Sequence, residues 1–263
     1  MKLEVLMSCM HQGDDALVRA SGLTGDVLMV NQCDREEQAD YGRTRILSTT
    51  QRGLTKSRNM AIDNARGDVC LICDDDEVFV PDYEERILKA YGQLPQADVV
   101  IFKMVNRQPS FPDKVMRLKF PKTMKVSSWQ ISFRREKLLA SGVRFDPLLG
   151  AGSGNGAEEE LKFLLDCQRA GLAIWYVPVE IASVAQAEST WFQGFDETFF
   201  ENRGATTRYI LGFFVATIYA LYYVLRKKAM YQKDITPGRA FKGTMRGIFR
   251  NRIGKQKKAE GKK

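Results

Sequence analysis

The chain has 263 residues, 44% of them hydrophobic, enough for one large packed domain or two small ones. Its formal net charge is +8, from 40 Lys/Arg and 32 Asp/Glu, and it has a single histidine, His11. One histidine excludes a Ser-His-Asp triad and a multi-histidine metal centre, so any metal must be held by carboxylates, phosphates and water.

In chain order, Leu3–Ser8 reads as a short buried strand, followed by a loop through Gly13 and a helix over Asp15–Ala20. Val27–Val30 is a second strand ending at Asn31, and Ile46–Ser48 a third. Leu54–Asn64 is a helix with Thr55 as its expected N-cap and Gly67 as its stop. Val69–Cys73 is an apolar strand, Pro81–Tyr91 a helix with proline in its first turn, and Val99–Lys103 another strand. Strands alternating with helices over the first hundred residues predict an α/β fold with a mostly parallel central sheet flanked by helices. Past Asn106 the rhythm is less regular, with strands expected at Lys114–Phe120 and Gln130–Phe133. The glycine-rich loop Gly150–Gly156 leads into a helix from Glu158 to about Ala170, and Ile174–Val177 is a further strand.

Directly after the Val69–Cys73 strand stand Asp74, Asp75, Asp76 and Glu77. Packed carboxylates raise one another's pKa unless a counter-charge is supplied. A divalent cation with hard oxygen ligands, Mn²⁺ or Mg²⁺, resolves the conflict. At the carboxyl end of a strand, the cluster falls where open α/β sheets bind their ligands. Three chemistries use such acids. A Walker-B NTPase also needs a GxxxxGK[ST] loop, and the chain has none. An aspartyl-nucleophile phosphatase is matched literally by Asp74-Asp-Asp-Glu-Val78, but it calls for an earlier strand and a later acidic pair. Transfer from a nucleotide-diphosphate donor needs the metal site and also a base to deprotonate an acceptor hydroxyl. Glu158, Glu159 and Glu160, at a helix N-terminus after the glycine-rich loop, offer that base. Lys56 and Arg58 open the helix before the metal strand, where basic side chains and free backbone N–H groups favour a diphosphate.

The chain resembles the inverting family-2 glycosyltransferases, which have the Rossmann-like GT-A fold that binds nucleotide sugars. The residues carrying the resemblance are LEVLMSCMHQGD, VNQCD, RGLTKSRNMAIDNARGDVCLICDDDEV and GAGSGNGAEEELKFLLDCQRAGLAIWYVP, over about residues 2–180. The resemblance implies a DxD motif at Asp74 and Asp76, with both at the metal and Asp74 and Asp75 at the donor. It places the general base in the acidic pair Glu159–Glu160, with Glu160 the better candidate, and Arg58 near the donor. Ser8 ends the first strand, in Ser8-Cys-Met-His11, where many members carry a Pro-Thr-Tyr-Asn-like string. Asn31 stands where the family's base-reading aspartate is expected; it can hydrogen-bond a uracil imide without adding charge.

The charge is segregated along the chain. From Arg226 to Lys263 there are 14 Lys/Arg against 2 Asp/Glu, which leaves 26 against 30 before it. Ahead of this basic end, Tyr209–Leu225 holds 17 residues without a formal charge, roughly 25 Å as a helix and short for a ~30 Å hydrocarbon core. Its tyrosines and the following Arg226-Lys-Lys228 suit a helix lying in the membrane interface, with a full span or burial within an oligomer as the alternatives. The basic end lacks a nucleic-acid-binding motif, which disfavours that partner. Residues 1–204 are therefore expected to form the catalytic domain, and 205–263 a hydrophobic helix and basic tail associated with an anionic membrane. Without a leader-like start, the catalytic part is expected at the cytoplasmic face, peripheral or monotopic. The implied partners are a nucleotide sugar, UDP-linked by expectation, and a lipid-linked or polysaccharide acceptor. Trp191–Glu197 supplies aromatics that either cover the acceptor or dock the core on the next helix. Cys9, Cys33, Cys70, Cys73 and Cys167 read as small buried hydrophobes; Cys70 and Cys73, three apart on a strand, face opposite sides.

Overall fold

The computed structural model describes residues 1–107, 111–155, 158–184 and 194–260. Gly156 of the glycine-rich loop and Trp191–Gln193 of the aromatic segment lie outside the described residues. The chain divides into two compact units, Met1–Asp146 with Glu159–Ala187, and Pro147–Glu158 with Glu188–Lys263.

The first unit is built on a ten-stranded sheet: β1 (Leu3–Met10), β2 (Asp26–Gln32), β3 (Glu37–Tyr41), β4 (Thr44–Thr49), β5 (Val69–Cys73), β6 (Glu77–Phe79), β7 (Val99–Met104), β8 (Met116–Arg117), β9 (Ile131–Arg134) and β10 (Ile174–Val184). Their order is β3-β4-β2-β1-β5-β9-β7-β10-β6, with β8 beside β10. β4, β2, β1 and β5 run parallel, as the alternating pattern predicts. The sheet as a whole is mixed and not purely parallel, although β7 and β10 also pair in parallel. β9 is inserted between β5 and β7 and pairs antiparallel with both, while β3 and β6 add antiparallel edges. The expected strand Lys114–Phe120 shrinks to the two residues of β8, whereas Ile174–Val177 extends to Val184.

Among the described residues of this unit the α-helices are α1 (Ala16–Ala20), α2 (Leu54–Asn64), α3 (Tyr83–Gln93), α4 (Arg135–Ser141) and α5 (Glu159–Arg169). Gly53, with φ 121°, takes the N-cap position of α2 in place of the expected Thr55, which is buried inside the first turn. Alternation along β5 feeds two cores. Val69, Leu71 and Cys73 pack with Tyr83, Ile87 and Tyr91 of α3; Cys70 and Ile72 pack with Ile62 of α2 and Phe163 of α5. All five cysteines are free and buried, and burial pushes the Cys9 thiol up to about 12, so they serve as core.

The second unit is helical: α6 (Glu197–Arg226), α7 (Lys228–Tyr231), α8 (Pro237–Arg250) and α9 (Arg252–Glu260). α6 is interrupted at Gly212, which has φ 79° and ψ 176°. Arg203 donates to Tyr219 Oη at 2.8 Å, and its guanidinium lies 4.0 Å from the Tyr223 ring centre. Residues 203 and 223 would be about 30 Å apart on one straight helix, so α6 is a hairpin that reverses at Gly212. Against the first arm, α8 approaches backbone to backbone. A Cβ on Gly247 would sit 2.0 Å from Glu201 O, and one on Gly204 2.0 Å from Thr244 O. Phe195, Phe200, Tyr223 and Tyr231 form an aromatic cluster in this unit. Arg252 donates to Asn155 Oδ1 at 2.8 Å, and Asn155 closes the glycine-rich loop through the Leu148 carbonyl at 2.9 Å.

Candidate active site

Parallel register brings the carboxyl ends of β1, β2 and β5 to one edge, with Met7 opposite Cys73 and Cys9 opposite Asn31. Ser8, the residue after Met7, is therefore level with Asp74, the residue after Cys73. At this edge the sheet meets the first turns of α2 and α5.

Arg58, on α2, is 1% exposed and joins the two acidic motifs. One guanidinium nitrogen pairs with Asp74 Oδ1 at 2.6 Å, the other with Glu159 Oε1 at 3.1 Å. Burial alone would lower the pKa of the Arg58 guanidinium; the charges of Asp74 and Glu159, with Glu160 adding to them, outweigh that and raise it. The guanidinium also lies over the Phe145 ring, 5.3 Å from its centre. Phe145 is fixed in turn. Asn59 exchanges two 2.8 Å hydrogen bonds with its backbone, and its ring stacks on Phe163 at 4.2 Å. The adjacent Arg58-Asn59 thus does two jobs: one side chain collects carboxylates, and the other holds the ring beneath it.

Asp74 is gripped on both oxygens, since Ser128 Oγ donates to Oδ2 at 3.0 Å. Its backbone N–H donates to Glu77 Oε1 at 2.7 Å, which folds the acidic turn back on itself. Glu77 is buried, and its Oε2 has no hydrogen-bond partner among the described residues. Burial, then the charge of Asp74, pushes this carboxyl well above the usual range. Asp75 is exposed and Asp76 half-buried. Partial loss of hydration, followed by Asp74's charge, raises both, and Asp76 is raised further by Asp75.

A divalent cation fits this donor set in one sense and not in another. Among the described residues, no three acidic, histidine or cysteine side chains converge into a closed cage. Carboxyls raised by neighbouring charge are nevertheless stabilised by a hard cation whose remaining ligands are water and phosphate oxygens, the mode Mg²⁺ and Mn²⁺ favour.

The remaining expected residues are placed as follows. Ser8 is buried and its hydroxyl meets Ser57 Oγ at 2.8 Å, tying β1 to α2. Asn31 is fully buried. Its Oδ1 accepts from Gln12 N at 2.9 Å, while Nδ2 donates to Gln12 O at 2.8 Å and Ser48 Oγ at 3.3 Å. It therefore braces the loop after β1 with its own amide. Glu159 is buried on Arg58, whereas Glu160 is only half-buried. Glu158 is directed elsewhere: with φ 69°, it pairs with Arg203 at 3.0 Å in the second unit. Lys56 is exposed. The sequence reading did not single out Ser128, Phe145 or the capping role of Glu77. Only Glu77 carried a signal, as the fourth acid of its run.

Residues 29–147 match the family model "Glycosyl transferase family 2". An uncharacterized glycosyltransferase of Haemophilus influenzae is 26% identical over 144 residues. That alignment covers 49% of this chain and 49% of the relative, so the chain spans about half the length of the curated relative it matches. Among solved structures, residues 1–349 of S. aureus TarS in complex with UDP-GlcNAc superpose with a TM-score of 0.58 at 16% identity, covering 79% of this chain and 66% of that one. The same TarS fragment in complex with UDP gives 0.54 at 16% identity, over 78% and 65%. These likenesses carry the fold: the mixed sheet flanked by helices is that of the TarS structures, and residues 29–147 are similar to glycosyl transferase family 2.

Proposed function

We propose that the protein transfers a sugar from a nucleotide-diphosphate donor, a UDP-sugar, to a hydroxyl of a lipid-linked or polysaccharide acceptor, with inversion, at the cytoplasmic face of a membrane. One observation carries this reading: a single buried arginine binds both the first aspartate of the DxD run and the acidic pair at the start of α5. This contact brings together two acidic motifs that are distant in sequence, which supports a shared site. Asp76, with Asp74, would hold Mn²⁺ or Mg²⁺, which when bound neutralises the diphosphate as it leaves. Asp75, exposed beside them, faces the donor. Glu160, the half-buried member of the pair, takes the acceptor proton, whereas Glu159 is buried on Arg58. Arg58 holds Asp74 in position. Ser8 and Asn31 shape the donor pocket by fixing α2 and the Gln12 loop. Catalysis is assigned to residues 1–204 and membrane association to 205–263.

A phosphatase using Asp74 as nucleophile is disfavoured by geometry, since both of its oxygens are already held by Arg58 and Ser128. The deciding experiment is a panel of nucleoside diphospho-sugars incubated with the protein and Mn²⁺ or Mg²⁺. Metal-dependent release of a nucleoside diphosphate from one of them is expected. Release from none, together with hydrolysis of simple phosphomonoesters, would overturn the proposal.

A further inference from the structure

The second unit carries an exposed apolar surface. By length and composition alone, Glu197–Arg226 is long and apolar enough to cross a membrane. A single rod does not form, because the uncharged run Tyr209–Leu225 contains the reversal at Gly212. The second arm, residues 213–226, is about 21 Å long, well short of a ~30 Å hydrocarbon core. Nor can the first arm serve as a span. Its Glu197 and Glu201 are ion-paired with Arg239, Arg246 and Arg250 of α8, and its Arg203 with Glu158.

On the second arm, Phe214 is 81% exposed, Ile218 72%, Leu221 and Tyr222 52%, and Leu225 65%. Their spacing of i, i+4, i+7, i+8 and i+11 makes one continuous outward stripe. The opposite face, with Ala216, Ala220, Tyr223 and Val224, is buried in the unit. Phe249 of α8, 68% exposed, stands near the turn, its ring 5.5 Å from that of Phe213. At the far end the stripe runs into Arg226, Lys227 and Lys228, all exposed. A monomeric surface seldom leaves so long an apolar stripe uncovered. The flanking cations decide what covers it: a second copy would bring like charges together, whereas an anionic lipid surface neutralises them.

We propose that the second arm of α6 lies parallel to the surface of an anionic bilayer, its stripe in the headgroup–acyl boundary of one leaflet, without crossing. This inference deepens, and rests on, the reading that the acceptor is membrane-borne.

The test uses the full chain with phosphatidylcholine vesicles, with and without phosphatidylglycerol. Binding is expected to be at least about tenfold tighter to the anionic vesicles and to weaken in high salt. The pair Ile218→Asp and Leu225→Asp should lower it by about tenfold or more. Both sites are exposed, so circular dichroism should be unchanged. Nitroxide labels on Phe214→Cys, Ile218→Cys and Leu225→Cys should report equal, shallow depths. A depth that grows along the arm to the bilayer centre overturns the proposal. So does indifference to both vesicles, or self-association without lipid that the aspartate pair abolishes. Assaying acceptors in detergent separates this idea from the parent reading. Vesicle binding with transfer only to water-soluble acceptors leaves the docking standing and removes the membrane-borne acceptor. Transfer to lipid-linked acceptors by a protein that ignores vesicles removes the docking alone.

Discussion

Arg58 collects two carboxylates from positions 16 and 101 residues away in sequence, in surroundings almost without water. An arginine so placed is worth most for what its removal leaves behind: Asp74 and Glu159 facing each other with no cation between them. Arg58→Met should therefore destabilise the fold by about 3–5 kcal/mol in denaturant titrations. Arg58→Lys should recover only part of this, because an ammonium cannot reach both carboxylates with a planar fork. Equal stability of wild type and Arg58→Met would refute the bridge. Glu77 gives a second residue-level prediction, with a pH sign. Its folded pKa lies above the ordinary glutamate value, so the stability it contributes is full at low pH and lost as pH rises through the folded value. In metal-free buffer, Glu77→Gln should raise stability near neutrality by about 1–3 kcal/mol. The gain should vanish as pH falls to about 4.5. A gain independent of pH would show that the carboxyl is not the cause. Both residues were visible in the sequence as a basic side chain and a fourth acid. Their partners were not, since no spacing rule relates Arg58 to Glu159 or turns Glu77 back onto the Asp74 backbone N–H.

At the scale of elements, the sequence pattern located most of the strands and helices but not their pairing. Ile131–Arg134 is four residues long, and nothing within it tells whether it extends the parallel order or runs against it. Its place between β5 and β7 follows from long-range hydrogen bonding that local periodicity does not encode. The same limit applies to α6. An uncharged stretch of 17 residues reads as one helix, and the glycine that ends it looks like any tolerated helix glycine. The backbone at Gly212 occupies a region essentially reserved for glycine, although a Cβ there would meet nothing within 4 Å. Gly212→Ala should therefore destabilise the hairpin by about 1–3 kcal/mol through backbone strain alone. Gly247→Ala should act by another route, forcing α8 off α6 where its Cβ would meet Glu201 O. Hydrogen exchange distinguishes them. The first should loosen amides around residue 212, whereas the second should loosen the facing stretches of α6 and α8 together. Unchanged protection in both would mean that the reversal and the close approach are incidental.

For the whole molecule, the charge is split along the chain, with acids concentrated before Arg226 and cations dense from Arg226 onward. The chain leaves the first unit at Asp146 and re-enters it at Glu159, so the acid pair stands at the point of return. On the proposed assignment, donor binding and proton removal are separable by substitution, because Asp74–Asp76 and Glu160 belong to different elements. A ligand that binds only the folded state stabilises the entire chain by about 2.7 kcal/mol at a hundredfold excess over its dissociation constant. UDP with Mn²⁺ should accordingly raise the thermal midpoint of wild type and of Glu160→Gln to a similar degree, and leave Asp76→Ala unmoved. Sugar transfer should fall by about 100-fold or more in Glu160→Gln, the range expected for loss of a general base. Glu159→Gln should act differently, weakening the fold through Arg58 before it affects the chemistry. If Glu160→Gln transfers sugar normally while Glu159→Gln folds well and is inactive, the base is Glu159, and its contact with Arg58 must open during turnover.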